Sequence, residues 1–179
     1  AASGRRSTGD GRHGVVAPVG RGGYGRGMAL ESGDKAPAFT LLDQSGNKVR
    51  LSSFKGRKVM LYFYPKADTP GCTTQSCNLR DIAGDIGDTQ ILGVSPDKPE
   101  KQAKFDEKYG LGFPLLADED HAVAEAYGVW GAKKNYGRTY MGIIRSAFLI
   151  DEKGKIAHAW YKISPKDTPL KLQAALDEA

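Results

Sequence analysis

The stretch of sequence that decides the fold is 59–72, which runs VMLYFYPKADTPGC. A short apolar run that ends at a proline, here Pro65, is typical of a strand buried on both faces inside an α/β sheet. Pro65 ends the strand because proline has no N–H for the ladder. Thr69 and Pro70 then indicate a helix start, with Thr69 as its cap and Pro70 in its first turn. Cys72 is therefore predicted in that first turn, beyond the carboxyl end of a central strand, where open α/β sheets usually place their sites.

The predicted position of Cys72 favours a reactive thiol. The N–H groups in the first turn of a helix have no partner within the helix, and the helix dipole adds partial positive charge there. Both effects stabilise the thiolate, which is the nucleophilic form of cysteine. Gly71 leaves little side chain to cover the sulfur. A lone cysteine is more often a small buried hydrophobe, but the sequence that surrounds Cys72 favours the reactive alternative.

Cys77 is the second cysteine of the chain and follows Cys72 by five residues. On one unbroken helix this spacing places the two Cα atoms about 8–9 Å apart, whereas a disulfide needs about 4.4–6.8 Å. The spacing disfavours a static structural disulfide and favours a redox pair that closes only after the helix unwinds locally. A zinc site is also disfavoured, because there is no second cysteine pair and His13, His121 and His158 are not clustered in the sequence.

These residues resemble the pattern of a known family. Pro65, Thr69 and Cys72 have the spacing P-x-x-x-T-x-x-C, which is the signature of the peroxiredoxins. With Cys77 five residues further on, the chain is similar to the Q-type branch, also called bacterioferritin comigratory protein. The resemblance extends from Ser32 to the C-terminus. It includes three further blocks in order, GDKAPAF at 33–39, GVSPD at 93–97 and RSAFLID at 145–151.

The resemblance implies a thiol-dependent peroxidase that reduces hydrogen peroxide and organic hydroperoxides in antioxidant defence and redox homeostasis. Cys72 would attack the peroxide and become a sulfenic acid, and Cys77 of the same subunit would condense with it to a disulfide. In the family, the residues that match Thr69 and Arg145 donate hydrogen bonds to the reacting atoms, and the residue that matches Pro65 shields the sulfur from water. Judged without the resemblance, Arg145 is a solvated charge or an ion-pair partner, Thr69 a helix cap, and Pro65 the end of a strand.

The resemblance also implies reduction by thioredoxin or a similar dithiol protein, a monomeric state, and no cofactor or metal. From Met28 onward the sequence has no nucleotide-binding motif of the GxGxxG or P-loop kind. Gln75 departs from the Glu that many relatives have three residues after the reactive cysteine. Because an amide cannot form an ion pair with arginine, we expect different hydrogen bonds there. The short glycine-rich connection over 84–88 is a second departure, since the preceding helix tends to run further in the family.

The order of predicted elements indicates an α/β fold. A hairpin over 38–51 and strands at 59–64, 91–95 and 113–117 are followed by a hairpin over 143–161 with its turn at 151–154. Predicted helices are those over 70–82, 98–109 and 122–127 and a last one from Thr168. We expect 130–141, rich in Gly, Lys and Tyr, to be a loop. This order predicts a mixed central sheet with helices on both faces, and the resemblance identifies a thioredoxin-like fold with an N-terminal β-hairpin.

The composition suits one folded domain of nearly neutral charge. The chain has 179 residues, of which 40% are hydrophobic and 26% charged, enough for a sizeable core. The segment 1–27 holds five Arg and one Asp, so most of the formal charge of +5 lies there. The remainder gives no argument for binding nucleic acid or a membrane. Two cysteines in so long a chain do not make a secreted disulfide scaffold, and a cycling thiol pair suits the cytoplasm.

The segment 1–27 is predicted to be a disordered tail, and 28–179 the peroxiredoxin domain. The tail contains nine of the 23 glycines and little apolar periodicity. Three interpretations stay open. We favour a tag or upstream extension, with Met28 as the native start. The others are an organellar transit peptide, suggested by its arginines and few acidic residues, and a nucleic-acid-binding arm, suggested by a weak similarity to RGG tracts.

One alternative function stays open for the folded part. A thiol-disulfide oxidoreductase of the thioredoxin kind, without peroxidase activity, would have a similar fold. Its usual cysteine pair is C-x-x-C, whereas four residues separate Cys72 from Cys77. Reduction of insulin without turnover of peroxide would favour this alternative.

Overall fold

The computed structural model describes residues 29–178, so the predicted tail over 1–27 lies outside the described residues. Within that range the strands are β1 (Thr40–Leu42), β2 (Lys48–Arg50), β3 (Val59–Phe63), β4 (Gln90–Ser95), β5 (Leu115–Ala117), β6 (Trp130–Asn135), β7 (Arg138–Ile143), β8 (Ser146–Ile150) and β9 (Ile156–Trp160). The α-helices of the same range are α1 (Pro70–Ile82), α2 (Pro99–Tyr109), α3 (Ala122–Ala126) and α4 (Asp167–Asp177).

The strand β3 lies inside a seven-stranded mixed sheet. The order of strands in the sheet is β2-β1-β5-β4-β3-β8-β9. β3 pairs in parallel with β4 and antiparallel with β8, and all five of its residues are buried. The N-terminal hairpin forms from β1 and β2, which pair antiparallel. The predicted α/β fold with an N-terminal hairpin and a mixed central sheet is therefore confirmed.

Successive side chains of β3 point to opposite faces of the sheet and build two cores. On one face, Met60 and Tyr62 belong to a buried cluster that includes residues of α1, α2 and α4. On the other face, Leu61 and Phe63 belong to a second cluster that includes Ala124 of α3. Helices therefore cover both faces, as predicted, and the unbroken apolar run of β3 follows from its burial on both sides.

The proline and glycine signals at the ends of α1 and α2 act as the sequence predicts. Pro70 and Pro99 occupy the first turns of α1 and α2, where a missing N–H costs nothing. Gly110 ends α2 in a left-handed conformation with φ of 56°, which glycine adopts without strain. α1 has 13 residues, ends at Ile82 and passes into one 3₁₀ turn over Ala83–Asp85, which forms the first part of the short connection found in the sequence.

The prediction of a loop over 130–141 is wrong. This segment forms most of β6 and β7, which pair antiparallel in a separate two-stranded sheet. Tyr136 and Gly137 connect the two strands with φ values of 50° and 76°, the pair of positive φ angles that a tight hairpin turn requires. No alternation of apolar and polar residues marks these strands in the sequence, because most side chains of both are at least partly exposed.

A second correction concerns the predicted continuous strand over 143–150. β7 ends at Ile143 and β8 begins at Ser146. Between them, the N–H of Ile144 donates to Val129 O at 2.7 Å, and the carbonyl of Arg145 accepts from Ile163 N at 3.0 Å. These two residues are bonded to neighbouring loops rather than to the large sheet, so Arg145 lies in the turn just before β8.

Candidate active site

The reactive cysteine predicted from the sequence lies at the carboxyl end of β3. Cys72 is in the first turn of α1 and is 1% exposed. The connection from β3 to α1 is tied to the neighbouring strand end, because Ala67 N donates to the carboxylate of Asp97 at 2.7 Å. Ser95, the last residue of β4, donates its hydroxyl to the same carboxylate oxygen at 2.8 Å. The loop that presents Cys72 is thus tied to the end of β4 through the carboxylate of Asp97.

The structure brings Arg145 to this cysteine. The Nη2 atom of Arg145 lies 3.2 Å from Cys72 Sγ and donates a hydrogen bond to it. The pairing of β3 with β8 explains the encounter, since Phe63 is the partner of Ser146 in the register. Arg145 therefore sits beside the strand end that leads to Cys72. A guanidinium keeps its charge at all physiological pH values, so a fixed positive charge lies within hydrogen-bond distance of the sulfur.

The guanidinium is held on its other side by Gln75. Arg145 Nη1 donates to Gln75 Oε1 at 2.7 Å, and Gln75 is fully buried. The amide Nε2 of Gln75 donates in turn to Thr168 Oγ1 of α4 at 2.9 Å. Thr168 donates its own hydrogen to Ser164 O at 2.8 Å. Gln75, which stands where many relatives have Glu, therefore positions Arg145 through a neutral amide. It leaves the positive charge of Arg145 uncompensated.

Thr69 is the N-cap residue of α1, as predicted, but its side chain does not cap the helix. Thr69 occupies the position before α1 with extended backbone angles, and its carbonyl accepts the N–H of Thr73 at 2.8 Å. Its hydroxyl makes no capping bond to the helix and donates instead to Lys66 O at 2.7 Å. Because the hydroxyl has one hydrogen, Thr69 can only accept a further hydrogen bond while this one is made.

Pro65 and Cys77 occupy the elements predicted for them. Pro65 is half-buried and follows β3 after Tyr64, at the start of the loop that leads to Cys72. Its shielding of the sulfur stays a prediction. Cys77 is half-buried on α1, the same unbroken helix as Cys72, and both are free thiols. Helix geometry keeps their Cα atoms about 8–9 Å apart, so a disulfide requires α1 to open.

Ser76, next to Cys77 on α1, is hydrogen-bonded to the central strand β3. The hydroxyls of Ser76 and Tyr62 share a hydrogen bond of 2.8 Å, and both residues are fully buried. Burial raises the pKa of Tyr62, which keeps the phenol neutral and able to donate. The turn between the two cysteines is therefore fastened to the sheet through Ser76 and to α4 through Gln75.

Lys133 is a second cation beside the site that was not predicted from the sequence. Its Nζ donates to Ile143 O at 2.8 Å, across the hairpin β6–β7. Burial lowers the pKa of Lys133, the neighbouring charge of Arg145 lowers it further, and a negative charge on Cys72 opposes this shift. The pair Lys133-Lys134, in a stretch without acidic residues, was the only sequence signal for a positive charge here. Because the stretch was predicted as a loop, its position relative to Cys72 could not be inferred.

Neither a metal cluster nor a membrane-spanning element emerges from the part of the chain that the structure describes. Over 29–178, no group of three or more His, Cys, Asp or Glu side chains is arranged to hold a metal ion. None of the helices in that range has both the length and the apolar character needed to cross a bilayer.

Comparison with known proteins shows which family the chain belongs to. The model of the AhpC/TSA family matches residues 32–159. The putative peroxiredoxin bcp of Haemophilus influenzae is 56% identical over 140 residues, covering 77% of this chain and 90% of the relative. Peroxiredoxin Bcp of Escherichia coli K12 is 53% identical over 133 residues, covering 73% of this chain and 85% of the relative. The chain belongs to the AhpC/TSA family and, within it, to the Bcp or Q-type peroxiredoxins.

Solved structures of the same branch share the fold of this chain. The bacterioferritin comigratory protein of Xanthomonas campestris, studied for alkyl peroxide reduction, superposes with a TM-score of 0.76 at 32% identity, covering 83% of this chain and 98% of that chain. BcpB of Mycobacterium tuberculosis superposes with a TM-score of 0.73 at 34% identity, covering 83% and 97%. The large sheet and its helices are accordingly those of a thioredoxin-fold peroxiredoxin.

Proposed function

We propose that this peroxiredoxin, a thiol-dependent peroxidase, uses Cys72 as its peroxidatic cysteine and Cys77 as its resolving cysteine. The observation that carries the proposal is the hydrogen bond of 3.2 Å from Arg145 Nη2 to Cys72 Sγ, at the buried start of a helix. A fixed cation and the first-turn N–H groups both favour the thiolate. The same donors would stabilise the charge that spreads over sulfur and two oxygens in the transition state.

In the first half-reaction, the sulfur of Cys72 bonds to one peroxide oxygen and the O–O bond breaks. The thiol is oxidised to a sulfenic acid, and the proton that it gave up ends on the leaving oxygen, which departs as water or an alcohol. Arg145 donates hydrogen bonds to the reacting atoms, and its positive charge stabilises the negative charge that spreads over them. The lone pairs of Thr69 Oγ1, whose hydrogen is given to Lys66 O, can accept the O–H of the peroxide. Pro65 limits the access of water to the sulfur.

In the second half-reaction, the thiol of Cys77 attacks the sulfenic acid, and an S–S bond forms as water leaves. The two residues lie on one helix, so the start of α1 must open first, at the cost of a local unfolding. We propose that a dithiol protein, thioredoxin or one like it, then reduces the disulfide and is itself oxidised. The cycle needs one subunit only and a compartment that supplies reduced dithiols, which suits a monomer in the cytoplasm.

The experiment is consumption of hydrogen peroxide or an alkyl hydroperoxide, driven by NADPH, thioredoxin reductase and thioredoxin. We expect turnover by the parent chain and none by Cys72→Ser. Cys77→Ser should react once with peroxide and stop at a sulfenic acid that dimedone traps. Turnover by Cys72→Ser at the parental rate would exclude the proposed role of Cys72. Insulin reduction without any consumption of peroxide would instead support a thiol-disulfide oxidoreductase.

A further inference from the structure

The helix α4 reaches the reactive cysteine through an unbroken set of buried and partly buried hydrogen bonds. Thr168 and Gln75 are both fully buried. Thr168 Oγ1 accepts from Gln75 Nε2 at 2.9 Å, and Gln75 Oε1 accepts from Arg145 Nη1 at 2.7 Å. Arg145 then donates to Cys72 Sγ at 3.2 Å. Each contact is between side chains distant in sequence, so the set forms only when α1, α4 and the turn before β8 are packed together.

The direction of every hydrogen bond in this set is fixed. Thr168 donates its single hydrogen to Ser164 O at 2.8 Å, so toward Gln75 it can only accept. Gln75 must therefore present its NH₂ group to Thr168 and its oxygen to Arg145. Without the Thr168 hydroxyl, the buried amide of Gln75 would lose its acceptor and the force that orients it. The orientation of Gln75, and through it that of Arg145, depends on α4.

The segment before α4 also holds the backbone of Arg145. Ile163 N donates to Arg145 O at 3.0 Å, and the ring of Pro165 lies 3.6 Å from the position that a Cβ on Gly71 would take. The start of α4 thus fixes Arg145 at both its main chain and, through Gln75, its guanidinium.

We propose that Thr168 is a positioning residue that links the two half-reactions, an inference that rests on the proposed function. In the reduced protein, the contact between Thr168 and Gln75 holds Arg145 against the sulfur and favours attack on peroxide. The same contact fastens the turn of α1 between the two cysteines, which must open before the disulfide forms. Removing the Thr168 hydroxyl therefore slows the first half-reaction and speeds the second.

The bond between Ser76 and Tyr62 provides the matched control. It fastens the same turn of α1 to β3, but it does not touch Arg145. Tyr62→Phe should therefore speed disulfide formation without changing the reaction of Cys72 with peroxide. Opposite effects on the two steps are specific to Thr168, whereas general loosening of α1 would act on the second step alone.

The ionisable groups around the site are Arg145 from the turn before β8, Lys133 from β6, Tyr62 from β3 and Cys77 on α1 itself. Burial raises the pKa of Tyr62 and keeps it neutral, so Tyr62→Phe removes no charge from the site. From α4, the neighbours of Thr168 are Lys166 and Asp167, both exposed. Thr168 carries no charge, so exchanging it for Val adds or removes no titrating group. A changed pH profile in that variant would report the position of Arg145.

The test compares the parent with Thr168→Val, Thr168→Ser and Tyr62→Phe. Stopped-flow fluorescence measures sulfenic acid formation with hydrogen peroxide across pH, and then disulfide formation. For Thr168→Val we expect peroxide attack to slow about tenfold at neutral pH, a pH midpoint shifted upward, and disulfide formation several-fold faster. Thr168→Ser, which keeps the hydroxyl, should restore both steps. Tyr62→Phe should speed only disulfide formation.

Two results would overturn the inference: a parental pH profile in Thr168→Val, or disulfide formation no faster than in the parent. If Thr168→Val does not fold, Thr168→Ala is the substitute, since it also removes the hydroxyl that orients Gln75. It should shift the midpoint upward, and an unchanged midpoint would equally overturn the inference. The parent measured alongside separates the two proposals, because a parent inert to peroxide would refute the proposed function itself.

Discussion

At the scale of single residues, the site depends on how closely Arg145 approaches the sulfur, and Gly71 permits that approach. A Cβ atom on Gly71 would lie 3.2 Å from Arg145 Nη2, tighter than ordinary van der Waals contact. The glycine next to Cys72 therefore does more than leave the sulfur uncovered, which is the role that the sequence suggested. The guanidinium fills the space that a side chain would take.

We predict that Gly71→Ala slows the reaction of Cys72 with peroxide without lowering the stability of the protein. Alanine is favoured over glycine in a helix by up to about 1 kcal/mol, so the free energy of unfolding should not fall. The added methyl group should displace Arg145 by a few tenths of an ångström and slow the reaction of Cys72 with peroxide by up to about tenfold. Urea denaturation and stopped-flow kinetics measure the two quantities.

Gly84→Ala is the matched control for this prediction. Gly84 lies in the 3₁₀ turn after α1, and a Cβ there would meet no atom within 4 Å. Its peroxide reaction should equal that of the parent. If Gly71→Ala also reacts at the parental rate, the close packing of Arg145 on Gly71 is irrelevant to the chemistry.

The residues of the site were easier to predict from the sequence than the contacts between them. Cys72 could be located because an apolar run, a proline and a helix-start signal lie within fourteen residues of sequence. Arg145 was found only by resemblance, since no local pattern indicates that a residue 73 positions away will meet the sulfur. The sequence around Thr168 predicted the start of a helix, but no local pattern predicted a contact between Thr168 and Gln75. Contacts of this kind depend on strand register and helix packing, which short-range patterns do not encode.

At the scale of elements, the hairpin β6–β7 is the main difference between expectation and structure. Predictions of strands rely on one buried face, which gives alternating polar and apolar residues. Residues 138–141 at the start of β7 are all exposed, so the alternation is missing. The remaining signal is the pair Tyr136-Gly137 at the turn, and tyrosine is not the residue that such turns prefer. The hairpin nevertheless positions Lys133 near the site.

We predict that Tyr136→Asn stabilises this hairpin. Tyr136 has a φ of 50° and is 97% exposed, so its side chain contributes little packing while its backbone is strained. Asparagine tolerates this conformation better and gives the favoured Asn-Gly pair. We expect slower hydrogen exchange of the β6–β7 amides, equivalent to roughly 0.5–1 kcal/mol. Tyr136→Ala is the control and should give no protection, and equal protection in both variants would contradict the argument.

At the scale of the whole molecule, the two cores on either side of β3 hold the strand register that builds the site. Phe148 of β8 is fully buried and pairs with Leu61 in the register. Its ring lies between those of Phe63, Tyr127 and Tyr161, with centroid distances of 5.9, 5.2 and 5.3 Å. The layered α/β architecture followed from the order of elements, but the partners of each strand and this aromatic cluster emerge only from the folded chain.

We predict that Phe148→Ala lowers the free energy of unfolding by about 3–5 kcal/mol, because it leaves a cavity among rings that cannot collapse into it. Equilibrium urea denaturation measures the change. Leu170→Ala on α4 is the control, since Leu170 is 62% exposed, and it should cost no more than about 0.5 kcal/mol. A loss below about 1 kcal/mol for Phe148→Ala would mean that this cluster contributes little to stability.

The most direct test of the account is the rate at which Cys72 reacts with hydrogen peroxide as a function of pH, measured in the Cys77→Ser chain so that the sulfenic acid persists. With Arg145 donating to the sulfur at a helix start, the account predicts that the reaction is already close to its maximal rate at neutral pH. A Cys72 that stays inert to peroxide at neutral pH, and reacts only in alkali where any free thiol ionises, would contradict it.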